Sequence, residues 1–209
     1  MSSEQAKAVL VQGLAELGLE VAMDRVEALL QLAEMVESWG RRINLSGHRT
    51  VEGVIRRLVL DAAALMLEAP EFGSLVDLGS GAGFPGLPIA ILRPSVRVTL
   101  VEARLRRHHF QRVATRELGL GNVRLLRGRA EALAPQAHAA VVAQAMAQPS
   151  QAVAWMLPWV EPGGLLLLPG SESAPEVGGA GFSVEAIRRY RLPCGGPART
   201  LWIGRRTTS

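Results

Sequence analysis

An α/β fold, built on a mostly parallel sheet behind a helical extension, is predicted for this 209-residue chain by three observations. Residues 3–70 carry helical periodicity with no strand-like alternation. Residues 74–168 instead alternate short apolar runs with helix-like segments, the pattern of parallel strands joined by right-handed crossovers. Between the first such run and the first helix of that part lies a glycine-dense turn, Gly79-Ser80-Gly81-Ala82-Gly83-Phe84-Pro85-Gly86. With 48% hydrophobic and 20% charged residues, the chain has the composition and length to bury a substantial core.

The elements follow in order. Val9, Leu10, Leu14 and Leu17 recur at helical spacing, and Gly18 stops that helix. Val26, Leu29, Leu30, Leu32, Ala33 and Val36 form the apolar stripe of a second helix ending at Trp39-Gly40. Val54, Ile55, Leu58, Val59, Ala62, Leu65 and Met66 mark a third, closed by Pro70. Strands are predicted near 74–78, 96–101, 122–126, 139–143 and 164–168, and helices near 86–92, 104–118 and 149–159. The segment 171–181 is rich in Gly, Pro and Ser and is expected to be a loop. Two strand-like runs, 183–192 and 200–205, flank Pro193-Cys194-Gly195-Gly196-Pro197 and predict a closing antiparallel pair. The chain therefore divides into a helical N-terminal extension, 1–70, and a sheet domain, 71–209.

Composition excludes several classes. No apolar run reaches the roughly 18–20 residues of a membrane span. The start, Met1-Ser2-Ser3-Glu4-Gln5, lacks the basic and apolar regions of a signal peptide, so the cytoplasm is the expected location. Cys194 is the only cysteine, which rules out an internal disulfide or a thiolate cluster, and no metal site is expected. The net charge is +4, and Lys7 is the only lysine among 23 basic residues. Arginine forks suit phosphates, and they gather at Arg41, Arg42 and Arg49, along 104–116 (Arg104, Arg106, Arg107, Arg112, Arg116), and at Arg188, Arg189 and Arg191. These clusters favour a nucleic-acid partner over a plain solvated surface. A monomer is expected.

The glycine turn offers the sharpest chemistry. Glycines permit positive φ and let a ligand approach bare backbone, and the helix behind them presents free N–H groups. Gly81-Ala82-Gly83-Phe84-Pro85-Gly86 satisfies G-x-G-x-x-G, by itself a weak sign of a dinucleotide. A P-loop is excluded because no Gly-Lys-Ser/Thr follows. The second run, 96–101, ends in Glu102, about 20 residues beyond the turn, where doubly wound sheets hold a nucleotide ribose. A ligand-free turn is the remaining alternative. The fuller string from Asp77, acid-x-Gly-x-Gly-x-Gly, resembles the first motif of S-adenosylmethionine-dependent methyltransferases.

Taken together, 76–94 with its Gly-Phe-Pro-Gly and Ile91-Leu92-Arg93-Pro94, Glu102-Ala103-Arg104, the run 117–123, and Gly128-Arg129-Ala130-Glu131 resemble the bacterial small-subunit ribosomal RNA guanine-N7 methyltransferases, the RsmG or GidB family. Trp39, Arg42-Ile43-Asn44-Leu45-Ser46, Arg57 and Asp61 extend the resemblance into the helical part. The resemblance implies a Rossmann-like methyltransferase sheet, S-adenosylmethionine as cofactor, and a guanine N7 of 16S rRNA as acceptor. It implies cofactor contacts at Asp77, Gly79, Gly81, Gly83, Phe84, Glu102, Ala130, Glu131 and Gln144. It also implies a substrate side lined by Asn44, Arg57, Asp61 and Gln144. Against the family pattern, polar groups are replaced at Gly40, Leu58, Ala62, Gln144, Pro169 and Thr200, all on the proposed substrate side. A relative that keeps the cofactor but acts on another substrate, or only binds, is the alternative those changes leave open.

Guanine N7 has an in-plane lone pair that is unprotonated at neutral pH, so methylation requires positioning rather than a general base. Consistent with that need, the sequence shows no Ser-His-Asp set and no cysteine nucleophile in a suitable context. His48, His108, His109 and His138 are scattered or exposed in context and are not assigned catalytic roles.

Overall fold

The computed structural model describes residues 3–144, 147–170, 177 and 181–208. Its elements are α1 (Ser3–Glu16), α2 (Met23–Gly40), α3 (Val51–Val54), a π-helical turn (Ile55–Val59), α4 (Leu60–Glu68), β1 (Ser74–Leu78), α5 (Gly86–Leu92), β2 (Arg97–Glu102), α6 (Leu105–Glu117), β3 (Val123–Arg127), β4 (His138–Ala143), α7 (Pro149–Met156), a 3₁₀ turn (Leu157–Trp159), β5 (Val160–Gly170), β6 (Phe182–Arg191) and β7 (Ala198–Arg206). The seven strands lie in the order β3-β2-β1-β4-β5-β7-β6. Strands β1 to β5 pair in parallel, while β7 runs antiparallel to both β5 and β6. This is the mostly parallel sheet with an antiparallel close that the sequence predicts.

Strand alternation sorts side chains into two apolar layers. Leu75, Val98, Leu100, Ala140, Val142, Leu165, Leu167, Leu201 and Ile203 face a cluster shared with α1, α2, α4, α5 and Phe110 of α6. Val76, Leu78, Val101, Val141, Ala143, Leu166, Leu168 and Trp202 face the other way, onto α7 and Trp159. The helical extension thus shares one core with the sheet. Nearly continuous burial along β1 matches a central parallel strand covered on both faces.

Three expectations are refined. The third helix runs over 51–68 and is broken by the π-helical turn, in which Leu60 N–H bonds Ile55 O. The wider turn leaves Leu58 half-buried and carries Leu60 fully inside, beside Val59. The helix expected near 149–159 ends at Met156 and tightens into the 3₁₀ turn, where Pro158 lacks the N–H to continue it. His138 is buried rather than exposed, its Nε2 lying 2.9 Å from Thr99 Oγ1. The expected loop at 171–181 falls largely outside the described residues.

Candidate active site

In a sheet of this kind ligands bind at the carboxyl ends of the strands, where strand order reverses. Here that reversal lies between β1's two neighbours, β2 and β4. The turn after β1 is pinned to β2 by Gly79 N–H and Ser80 N–H, which donate to Val101 O at 2.9 and 3.1 Å. Gly79, Gly81 and Gly83 take φ of 69°, 57° and 85°. These are left-handed values that glycine adopts without the Cβ penalty. A Cβ on Gly83 would also collide with Leu87, and one on Gly86 with Leu100. These glycines serve conformation and close helix–strand packing together.

Glu102, at the end of β2, is 5% exposed. Its Oε2 accepts from Gly81 N–H at 2.9 Å and its Oε1 from Arg104 N–H at 2.7 Å. A carboxylate has about four lone-pair positions, so two remain for hydroxyls. Around it opens a cavity of about 310 Å³ lined by Gly79, Val101, Glu102, Ala103, Arg104, Arg107, Gly128, Arg129, Ala130, Glu131 and Trp155. Gly79, Glu102, Ala130 and Glu131, four of the residues expected at the cofactor, line this one cavity. Ala130 is held by Trp159, whose Nε1–H donates to its carbonyl at 3.3 Å.

Other predicted residues sit behind the wall. Asp77 is 1% exposed, and its Oδ2 accepts from Gly86 N–H at 3.0 Å, which anchors the start of α5. Burial raises its carboxyl well above the ordinary range; the Gly86 bond opposes this and the nearby Glu102 charge adds to it. Phe84 packs in the core beside the helical extension. Gly81 and Gly83 shape the turn, whereas Gln144 lies away from the cavity, with Asp61.

Two α6 residues were not foreseen as part of this turn. Gln111 is fully buried, and its Nε2–H donates to Ser80 Oγ at 2.8 Å and to Gly81 O at 2.9 Å. Arg107 lines the cavity and donates to Asn44 O at 3.4 Å, tying the 42–46 segment to the rim. A glutamine on an arginine-rich helix gives little sign of such a role.

A second polar cluster stands at the carboxyl rim on the β4–β5–β7 side. Asp61, 6% exposed, accepts from Arg199 Nε–H at 3.4 Å and from Tyr190 O–H at 3.5 Å, and the Gln144 side chain also bonds to it. Burial raises the Asp61 carboxyl, and the charge and hydrogen bond of Arg199 pull back against that rise. Burial also raises Tyr190, reinforced by the Asp61 charge. Thr200 pairs with Gly170 across the β5–β7 ladder, and its buried hydroxyl has no partner among the described residues. Arg57 does not join Asp61: it is exposed and lies near His48, whose pKa falls through burial and the Arg57 charge. Arg199 and Tyr190 were invisible in the sequence because they meet Asp61 across 138 and 129 residues.

With this geometry established, comparison with known proteins becomes decisive. The GidB family, described as rRNA small subunit methyltransferase G, matches residues 25–190. The chain belongs to this family. A Geobacter sp. (strain M21) protein named ribosomal RNA small subunit methyltransferase G is 34% identical, over 96% of this chain and 97% of that one. A Chromohalobacter salexigens protein of the same name is 37% identical over 89% of each. Among solved structures, TYW2 from M. jannaschii in complex with AdoMet is similar with a TM-score of 0.53 and 11% identity, covering 69% of this chain and 73% of that one. That likeness shows a common fold. No helix among the described residues is long and apolar enough to cross a membrane.

Proposed function

We propose that this protein is a methyltransferase that uses S-adenosylmethionine to methylate N7 of a guanine in 16S, small-subunit ribosomal RNA, acting as a cytoplasmic monomer. The observation that carries the reading is the Glu102 cavity. A buried carboxylate, fixed by Gly81 N–H and Arg104 N–H, keeps two lone-pair positions free beside a glycine turn. Those acceptor positions fit the vicinal hydroxyls of a nucleoside as donors, and backbone at Gly79 leaves room for the methionine end. Family membership and the names of the relatives support rRNA as acceptor.

When bound, the cofactor supplies a methyl group on a sulfonium, which needs no metal and no activated nucleophile. The chain's own task is alignment, which is worth about 7–11 kcal/mol in favourable cases. Gln111 and the Gly79 and Ser80 amides tie the turn to α6 and β2. On the acceptor side, guanine offers O6 beside N7. Arg199 and Gln144 carry N–H donors suited to O6 or a neighbouring phosphate, leaving N7 free to react. A-form RNA buries N7 in a deep groove, so the target guanine must come from a loop or be extruded.

The test has two stages. Calorimetric titration with S-adenosylhomocysteine should show one site. Expression in cells lacking their own enzyme should then restore N7-methylguanosine in small-subunit rRNA. Binding without the mark would replace this reading with that of a divergent relative acting elsewhere.

A further inference from the structure

A second concavity of about 430 Å³ lies along α6. It is lined by Trp39 and Ile43 at the end of α2 and by Leu105, Arg106, His108, His109 and Arg112 of α6. The floor is apolar and aromatic. Trp39 packs edge-on against buried Phe110, with ring centroids 5.5 Å apart, and is tilted against His109 at 5.6 Å. Leu105 is 61% exposed, the most exposed of the large hydrophobic residues described. An apolar patch rimmed by charge marks an interaction surface.

The rim identifies the occupant. Among the described residues no carboxylate lines the groove. Arg106 and Arg112 have neither a hydrogen bond nor an ion pair among the described residues, whereas Arg41 is paired with Glu37 at 2.8 Å. Free guanidinium groups flanking an aromatic floor are what unpaired nucleic acid needs: bases stack on the rings and phosphates meet the cations. The same helix also sends Arg104 and Arg107 into the cofactor cavity wall. The two sites therefore lie on different faces of the same stretch of chain.

We propose that the Trp39–Leu105–His109 groove binds an unpaired base of the substrate RNA, with Arg106 and Arg112 on its flanking phosphates. This rests on the RNA reading above, but binding and methylation can be measured separately.

The experiment measures fluorescence anisotropy of a short fluorescein-labelled oligouridylate with the full chain and its variants, alongside S-adenosylhomocysteine calorimetry. Leu105→Asp places an acid at an exposed helix start, where it suits the helix dipole, and should weaken RNA binding about tenfold. Trp39→Leu should do the same, with Trp39→Phe regaining most of the loss, since base–aromatic stacking is worth about tenfold or more per base. Cofactor affinity should stay within about twofold throughout. A 5-iodouridine-substituted oligomer should cross-link at Trp39 or His109. Unchanged RNA affinity in Leu105→Asp overturns the proposal, and that variant decides alone if Trp39→Leu does not fold. Failure to bind the oligomer, with Leu105-sensitive binding to whole small subunits, would assign the groove to a ribosomal protein and also overturn it. Normal oligomer binding with no methylation would sink the functional reading and leave the groove standing.

Discussion

The proposed cofactor side, around Glu102, and the proposed acceptor side, around Asp61, are built by different means. Backbone makes the first: three glycines at positive φ and amides from Gly81 and Arg104 that bond Glu102, all contributed by 77–86, 102–107 and 128–131. Side chains make the second: Asp61, Gln144 and the cross-strand pair Tyr190 and Arg199 come from three distant segments. A backbone site tolerates sequence change around its glycines, while a side-chain site changes whenever one partner does.

The contrast can be broken experimentally. Glu102→Ala removes a buried carboxylate that both holds the turn and remains free to bind hydroxyls. Charged hydrogen bonds are worth about 1.5–3 kcal/mol each, so S-adenosylhomocysteine affinity should fall by about 3–4 kcal/mol in calorimetry. Arg199→Gln should act on the opposite side. It leaves Asp61 with weakened compensation and should lower kcat/KM for small subunits by about 2–3 kcal/mol, with cofactor affinity within about twofold. Equal losses in both quantities would mean the two regions are one site. Gly83→Ala combines a left-handed φ with a collision at Leu87 and should cost about 1–3 kcal/mol in denaturant unfolding.

Asp77 provides a pH test. Its folded pKa is raised by burial, so the folded state holds the proton more tightly than the unfolded chain does. Its stabilising contribution is therefore fully present below the ordinary carboxylate value and is lost as pH rises through the elevated one. Asp77→Asn keeps an oxygen for Gly86 N–H without the charge. Its stability relative to the parent chain should improve progressively above about pH 4; an unchanged difference across pH would refute the buried, shifted acid. The smallest effect is expected for Gly40→Asn. A Cβ there meets nothing within 4 Å, and stability should move by less than about 0.5 kcal/mol.

How much the sequence disclosed follows the same division. The strand order's parallel core, the glycine turn and Glu102 were legible because each depends on contiguous residues with strong local preferences. Asp77 and Phe84 were placed in the correct segment, but their side chains face Gly86 and the core, a direction set by strand alternation and packing. The π-helical turn at 55–59 was not legible, because 3.6-residue periodicity has no term for an inserted residue. Nor were Arg199 and Tyr190, since only the sheet order β5-β7-β6 brings them to Asp61. Gln111 was hidden by its arginine-rich neighbours, although its burial is complete.

The separation of the two sides is tested most directly by methyl transfer to small subunits at saturating S-adenosylmethionine, comparing Glu102→Ala with Arg199→Gln. Recovery of most of the parent rate by Glu102→Ala, with Arg199→Gln remaining slow at every cofactor concentration, is the predicted result. Recovery of Arg199→Gln by added cofactor, or continued failure of Glu102→Ala at saturation, would contradict it.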